Sequence, residues 1–106
     1  MIQKPTKVLK IVNLAGYQKE AVVSREIVNN PSGTVTVFAF DKGQGLSEHK
    51  ASFSALLQIL EGRAGIKVAG KVHDLKAGDM IILPANKPYG VVALERFKML
   101  LIMIHG

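Results

Sequence analysis

Apolar residues in this chain come in short runs, broken at close intervals by Gly, Pro, Asn and Asp, a pattern that predicts strands joined by tight turns. Thr34–Phe40 alternates Thr34, Thr36, Phe38 and Phe40 against Val35, Val37 and Ala39, the two-residue period of a strand with distinct faces. Before it, Glu20–Val28 predicts a strand that stops at the turn cluster Asn29-Asn30-Pro31-Ser32-Gly33. After it, Asp41-Lys42-Gly43-Gln44-Gly45 breaks the run. Ser54–Leu60 predicts a further strand, ended by Glu61-Gly62. Ala64–Val68 and Lys71–Leu75 flank Ala69-Gly70, a two-residue link suited to a hairpin. Met80–Leu83, Tyr89–Ala93 and Phe97–Ile104 complete the series, with turns at Lys76–Asp79 and Pro84–Pro88. The stretch MLLIMI in the last run is apolar on both phases, as expected of a strand covered on both faces.

Helical signal is thin. Asn13–Glu20 has room for a single turn with Asn13 as its cap. Ala51–Glu61 contains the helix formers Ala, Leu and Gln, but its flanking glycines and strand neighbours assign it to a strand. The pattern as a whole predicts an all-β chain folded as a sandwich or barrel.

A length of 106 residues suits one domain, and 48% hydrophobic residues suffice for a modest core. The chain contains no cysteine, which excludes disulfides and thiolate metal sites and agrees with a reducing cytoplasm. The start, MIQKPTKVLK, lacks the apolar stretch of a secretory leader. The longest apolar runs fall far short of the ~20 residues that cross a bilayer, so no membrane association is expected. Net charge is +6, from 14 basic and 8 acidic residues. The basic residues are scattered and little interleaved with aromatics, so a solvated basic surface is expected and nucleic acid is not expected as a partner.

Between Gly43 and Gly90 the spacing of particular residues becomes informative. Gly43 precedes His49 by six positions, Ala51 and Ala55 follow, and "LQILEGRAG" ends a strand at Gly62. A second segment, "GDMIILPANKPYG", runs from Gly78-Asp79 through Pro84 to Tyr89. Together these resemble the two motifs of a small cupin of the conserved-barrel type, over Thr34 to Ile104. The resemblance implies a cupin-type double-stranded β-helix, a jelly-roll barrel, with a short N-terminal extension. It also implies residues 1–106 as one domain, with 34–104 the barrel and 1–33 strands at a homodimer interface.

Cupins that bind a metal hold it with two histidines and a glutamate from the first motif and a histidine from the second. Carried over position by position, only His49 is retained. Ala51 stands for the second histidine, Ala55 for the glutamate and Tyr89 for the last histidine, while Asn86 and Ala93 replace a glycine and an asparagine of the second motif. A divalent ion needs three or more donors at ~2.0–2.2 Å, alanine offers none, and a phenol with a pKa near ~10 is a poor one. No metal cofactor is therefore expected. His73, in register with Ile66 and sharing a face with Val68 and Leu75, is expected to pack rather than ligate. His105 is expected to fray. Glu48 and Lys50 are expected to point to solvent, Gln58 to face away from the interior, and Arg96 and Lys98 to be exposed rim charges.

His49, Tyr89, Ala51 and Ala55 then form a candidate pocket that is apolar apart from two polar groups, the usual make-up of a small-molecule site. His49 would serve as hydrogen-bond partner or general base and Tyr89 would orient a ligand. A bonded His49–Tyr89 pair that merely plugs the barrel is the competing picture. The expected function is a metal-free cupin that binds a small molecule or acts as a scaffold. Alternatives are a metal-dependent isomerase or dioxygenase and a ligand-sensing module.

Overall fold

The computed structural model describes residues 6–105, and the first five residues of the segment read above for a leader lie outside it. Nine strands follow a short 3-10 turn at Ile11–Asn13: β1 (Val22–Asn30), β2 (Gly33–Phe40), β3 (Gly45–His49), β4 (Ala55–Glu61), β5 (Arg63–Val68), β6 (Lys71–Lys76), β7 (Met80–Leu83), β8 (Tyr89–Ala93) and β9 (Phe97–Ile104). They form two antiparallel sheets, ordered β1-β2-β9-β4-β7 and β3-β8-β5-β6, whose inner faces close over one core. No helix among the described residues is long and apolar enough to cross a membrane.

The two-residue period places the core. Alternate positions of β4 (Ala55, Leu57, Ile59), β5 (Ala64, Ile66) and β9 (Phe97, Met99, Leu101) are buried and meet in the interior. Phe40 and Phe97, opposite each other on β2 and β9, stack with ring centroids 4.5 Å apart. Each such side chain contributes about 1.5–3 kcal/mol on burial. The helix-forming composition of β4 is overridden because β9 and β7 satisfy its backbone on both sides while its apolar phase fills the core. Gln58 lies on the opposite phase, level with Leu100 and Met80.

A second, smaller cluster lies on the outer face of the five-stranded sheet. Residues 11–17 form a strap there, and Ile11, Leu14, Ala15 and Tyr17 cover Val37 and Ala39 of β2. This is why β2 is buried on both phases at its C-terminal end. The helical turn expected at Asn13–Glu20 sits earlier, at Ile11–Asn13, so Asn13 ends it instead of capping it, and the strap is shaped by its packing.

Lys98 corrects the expectation of a rim charge. It is only 8% exposed, donates to the carbonyl of Val12, and places its ammonium 5.0 Å from the Tyr17 ring centroid. Its long stem crosses the sheet's outer face under the strap, an arrangement invisible to strand periodicity. The Tyr17 hydroxyl in turn donates to Glu61 at 2.5 Å. Arg96, by contrast, is an exposed rim cation paired with Asp41 at 2.9 Å. That pairing, with the backbone amides of Glu20 and Lys42, lowers the Asp41 carboxyl to about 2.

Candidate site at the His49–Tyr89 mouth of the barrel

One end of the four-stranded sheet carries a row in direct register: His49 of β3, Tyr89 of β8, Val68 of β5 and Lys71 of β6. β3 gave no strand signal because only Leu46 of its side chains packs inward, the rest of its surface being exposed. Its pairing with β8 shifts register between Leu46 and His49, which brings His49 opposite Tyr89.

Tyr89 is 3% exposed and belongs to the main core, whereas His49 is exposed above it. The ring centroids lie 4.5 Å apart, tilted by 52°. His49 Nδ1 lies 3.0 Å from the Ser47 carbonyl oxygen, and Nε2 lies 3.1 Å from the Tyr89 hydroxyl. A carbonyl only accepts, so the network assigns the proton to Nδ1, and the phenol donates to the Nε2 lone pair. Ser47, which orients the ring through its backbone, was not legible from side-chain chemistry.

Ala55 is buried in the same core cluster as Tyr89, paired in register with Leu83 and Met103. Ala51 sits half-buried in the loop after β3, where its carbonyl accepts from the Asn86 amide at 2.8 Å. His73 is half-buried opposite Ile66, and Glu48 and Lys50 are exposed, with Glu48 3.3 Å from Lys67. His105 corrects the expectation of fraying. Its amide donates to the Ser32 carbonyl at 2.9 Å and its ring stacks on Phe53, centroids 4.2 Å apart. Phe53 lies in a loop with no strand period, so no sequence signal pointed to this contact.

Among the described residues, no group of three or more His, Cys, Asp or Glu side chains converges in a way that could hold a metal ion. The donor set at the mouth is one imidazole, already bonded at both nitrogens, and one phenol. A separate shallow groove of about 230 Å³ lies on the outside of the four-stranded sheet, over Gly65 and Gly90. It faces away from the barrel interior.

Burial raises the pKa of Tyr89. Tyr17 is raised further, by burial and by the hydrogen bond and negative charge of Glu61, against an opposing pull from Arg96. A raised folded-state pKa means that the unfolded chain loses its proton first. Stability is therefore intact below the ordinary tyrosine value of 10.0 and falls as pH rises above it through the folded values. Because the chain has 2 tyrosines and both are shifted upward, tyrosinate absorbance should rise together with loss of the folded circular dichroism signal. A tyrosine that ionises near pH 10 in the intact fold would contradict the geometry described for it.

Comparisons with known proteins agree with this architecture. The family model described as Cupin_2, cupin domain, matches residues 36–105. A conserved protein of unknown function from Streptococcus pyogenes superposes with a TM-score of 0.91 at 30% identity, covering 97% of this chain and 90% of its own. A cupin superfamily protein from Desulfitobacterium hafniense gives 0.91 at 26% identity, covering 97% and 94%. A cupin 2 conserved barrel domain protein from Leptotrichia buccalis gives 0.85 at 38% identity, and covers 88% of this chain but 45% of its own. No curated protein matches the sequence.

Proposed function

This chain belongs to the cupin family, and on that premise we propose that it is a metal-independent cupin that binds a small molecule at the His49–Tyr89 mouth of its barrel. One observation carries this reading: Nε2 of His49, the single retained metal-ligand position, accepts a hydrogen bond from the Tyr89 hydroxyl. A metal would have to displace that bond and then find further donors where Ala51 and Ala55 stand. Burial makes the Tyr89 phenol a weaker acid still, and so a poorer phenolate ligand. A ligand arriving from solvent meets the exposed imidazole first, with the phenol beneath it fixing the ring.

Elemental analysis of protein prepared without a metal-affinity tag is expected to find no stoichiometric zinc, manganese, iron or nickel. Stoichiometric metal would instead favour a metal-dependent enzyme. His49→Ala is expected to abolish the stabilisation by any ligand found in a thermal-shift screen. Unchanged binding would leave the pair a structural plug and the barrel a scaffold.

We further propose that the chain is a cytoplasmic homodimer. Support comes from the outer face of the five-stranded sheet, where Val35, Ile102, Leu56 and Ile82 form a ladder in register across β2, β9, β4 and β7. Ile82 is 53% exposed, and Val8, just before the strap, is 97% exposed. Burying such a ladder against a second copy yields roughly 25 cal/mol per Å² of apolar surface. Light scattering should give twice the chain mass, and a monomeric mass at micromolar concentration would retire the dimer.

A further inference from the structure

Three basic residues that stand far apart in sequence, Lys50, Lys71 and Lys87, come to one end of the barrel, while others such as Arg63, Lys76 and Arg96 lie at the opposite end. The loops that close the His49–Tyr89 end are tied to one another by backbone bonds: Asn86 N to Ala51 O at 2.8 Å, Ala69 N to Pro88 O at 2.9 Å and Ile104 N to Ser54 O at 3.2 Å. Those loops bring Lys50, which follows His49, and Lys87, two residues before Tyr89, to the same rim. Lys71 completes the row through Val68. It also leaves β6 on the same face as His73 and buried Leu75, so it belongs to the inward side of the barrel. All three histidines stand at or near this end.

Acidic side chains are distributed the other way. Glu20, Asp41, Glu61, Asp79 and Glu95 lie at the opposite end, in or beside its turns, where Glu20 N meets Asp41, and Gly43 N meets the Ala93 carbonyl. Of the remaining acids, Glu48 beside His49 already faces Lys67, Asp74 in the middle of β6 is held by the Arg63 guanidinium on its outer side, and Glu26 in the middle of β1 accepts from Asn29. Lys50, Lys71 and Lys87 have no acidic partner among the described residues. The mouth therefore carries a surplus of positive charge around a polar dyad on an otherwise apolar floor.

We propose that the ligand of this mouth is a small anion, bearing carboxylate or phosphate oxygens, seated over His49 and Tyr89 within the ring of Lys50, Lys71 and Lys87. The inference rests on the reading of the mouth as a ligand site and adds to it the chemical class of the ligand. Three lysines at one rim, none with an acidic partner among the described residues, raise the local concentration of anions and repel cations. Lysine, a mobile point charge, suits either oxygen class.

The test is an amide-detected NMR titration with inorganic phosphate, citrate, glucose and phenol at low salt, on the native chain and on the Lys71→Glu/Lys87→Glu variant. Phosphate or citrate should give saturable shifts confined to residues 49–54, 68–71 and 85–89, weakening with added salt. The charge-reversed variant should bind on the order of tenfold more weakly. Whichever of phosphate and citrate binds tighter identifies the oxygen source. Should reversal disturb the circular dichroism spectrum, the Lys50→Gln/Lys71→Gln/Lys87→Gln variant replaces it, with the same direction of effect required. Unsaturated shifts spread over lysines elsewhere, or equal affinity in the variant, would overturn the proposal. Saturable binding of phenol or glucose at the mouth without either anion would sink the anion class and leave the mouth as the site. No response there to any of the four would remove both.

Discussion

Gly62→Ala should unfold at far lower denaturant than the native chain, losing about 4 kcal/mol, or fail to fold at all. Gly62 makes the crossing from β4 of one sheet to β5 of the other, with φ of +81°. A methyl there would overlap the Arg96 carbonyl oxygen and stand 2.7 Å from Phe97 Cα. Both are backbone atoms at the start of β9, the central strand of the five-stranded sheet, and cannot yield without moving its ladder. Gly70→Ala provides the control, because Gly70 has φ of +86° with nothing within 4 Å of its added methyl. That substitution should cost only the left-handed backbone penalty, about 1–2 kcal/mol. Equal urea midpoints for the two variants would show that close approach plays no part at Gly62.

Phe97→Ala should remove about 3–5 kcal/mol, a large share of the roughly 5–15 kcal/mol that holds a domain of this size folded. Phe97 is fully buried and lies nearly parallel to Phe40, at an interplanar angle of 7°. Truncation deletes the ring's transfer energy, opens a cavity bounded by β2, β4 and β9, and leaves Phe40 without its stacking partner. The melting temperature should fall by about 15–30 °C. Phe97→Leu, which keeps most of the volume, should lose less than half as much. If the alanine variant melts within a few degrees of the native chain, the two inner faces are not packed as described.

Much of the fold was legible because its causes are local. Alternation in Thr34–Phe40, the Ala69-Gly70 link and the turn residues around Gly62 and Gly78 each act over a few positions, and the structure places strands and turns there. At the hairpin, Ala69 and Gly70 both adopt positive φ, as a two-residue link requires. The strand over β4 was legible against its own composition because its neighbours were strands. β3 was not, since its fold comes from backbone pairing with β8 and leaves almost no hydrophobic trace.

For the candidate site, the sequence singled out His49 and Tyr89, and the fold adds their direct bond and the order of exposure between them. The Ser47 carbonyl that assigns the tautomer could not have been read in advance, because every residue has a carbonyl and only tertiary geometry selects one. Lys98 and His105 were misjudged for a related reason. Each looked solvent-facing by position, and each meets a distant segment: Val12 and Tyr17 for Lys98, Ser32 and Phe53 for His105.

The sequence by itself determined an all-β barrel of the cupin kind and the loss of metal-donor atoms at Ala51 and Ala55, because strand period, turn chemistry and side-chain identity are properties of residues and short spacings. Only the tertiary structure decided that Tyr89 closes on His49, that the strap covers β2, and that Lys50, Lys71 and Lys87 share one rim. Those relations join positions dozens of residues apart, and the packing of two sheets, which no local pattern encodes, sets them.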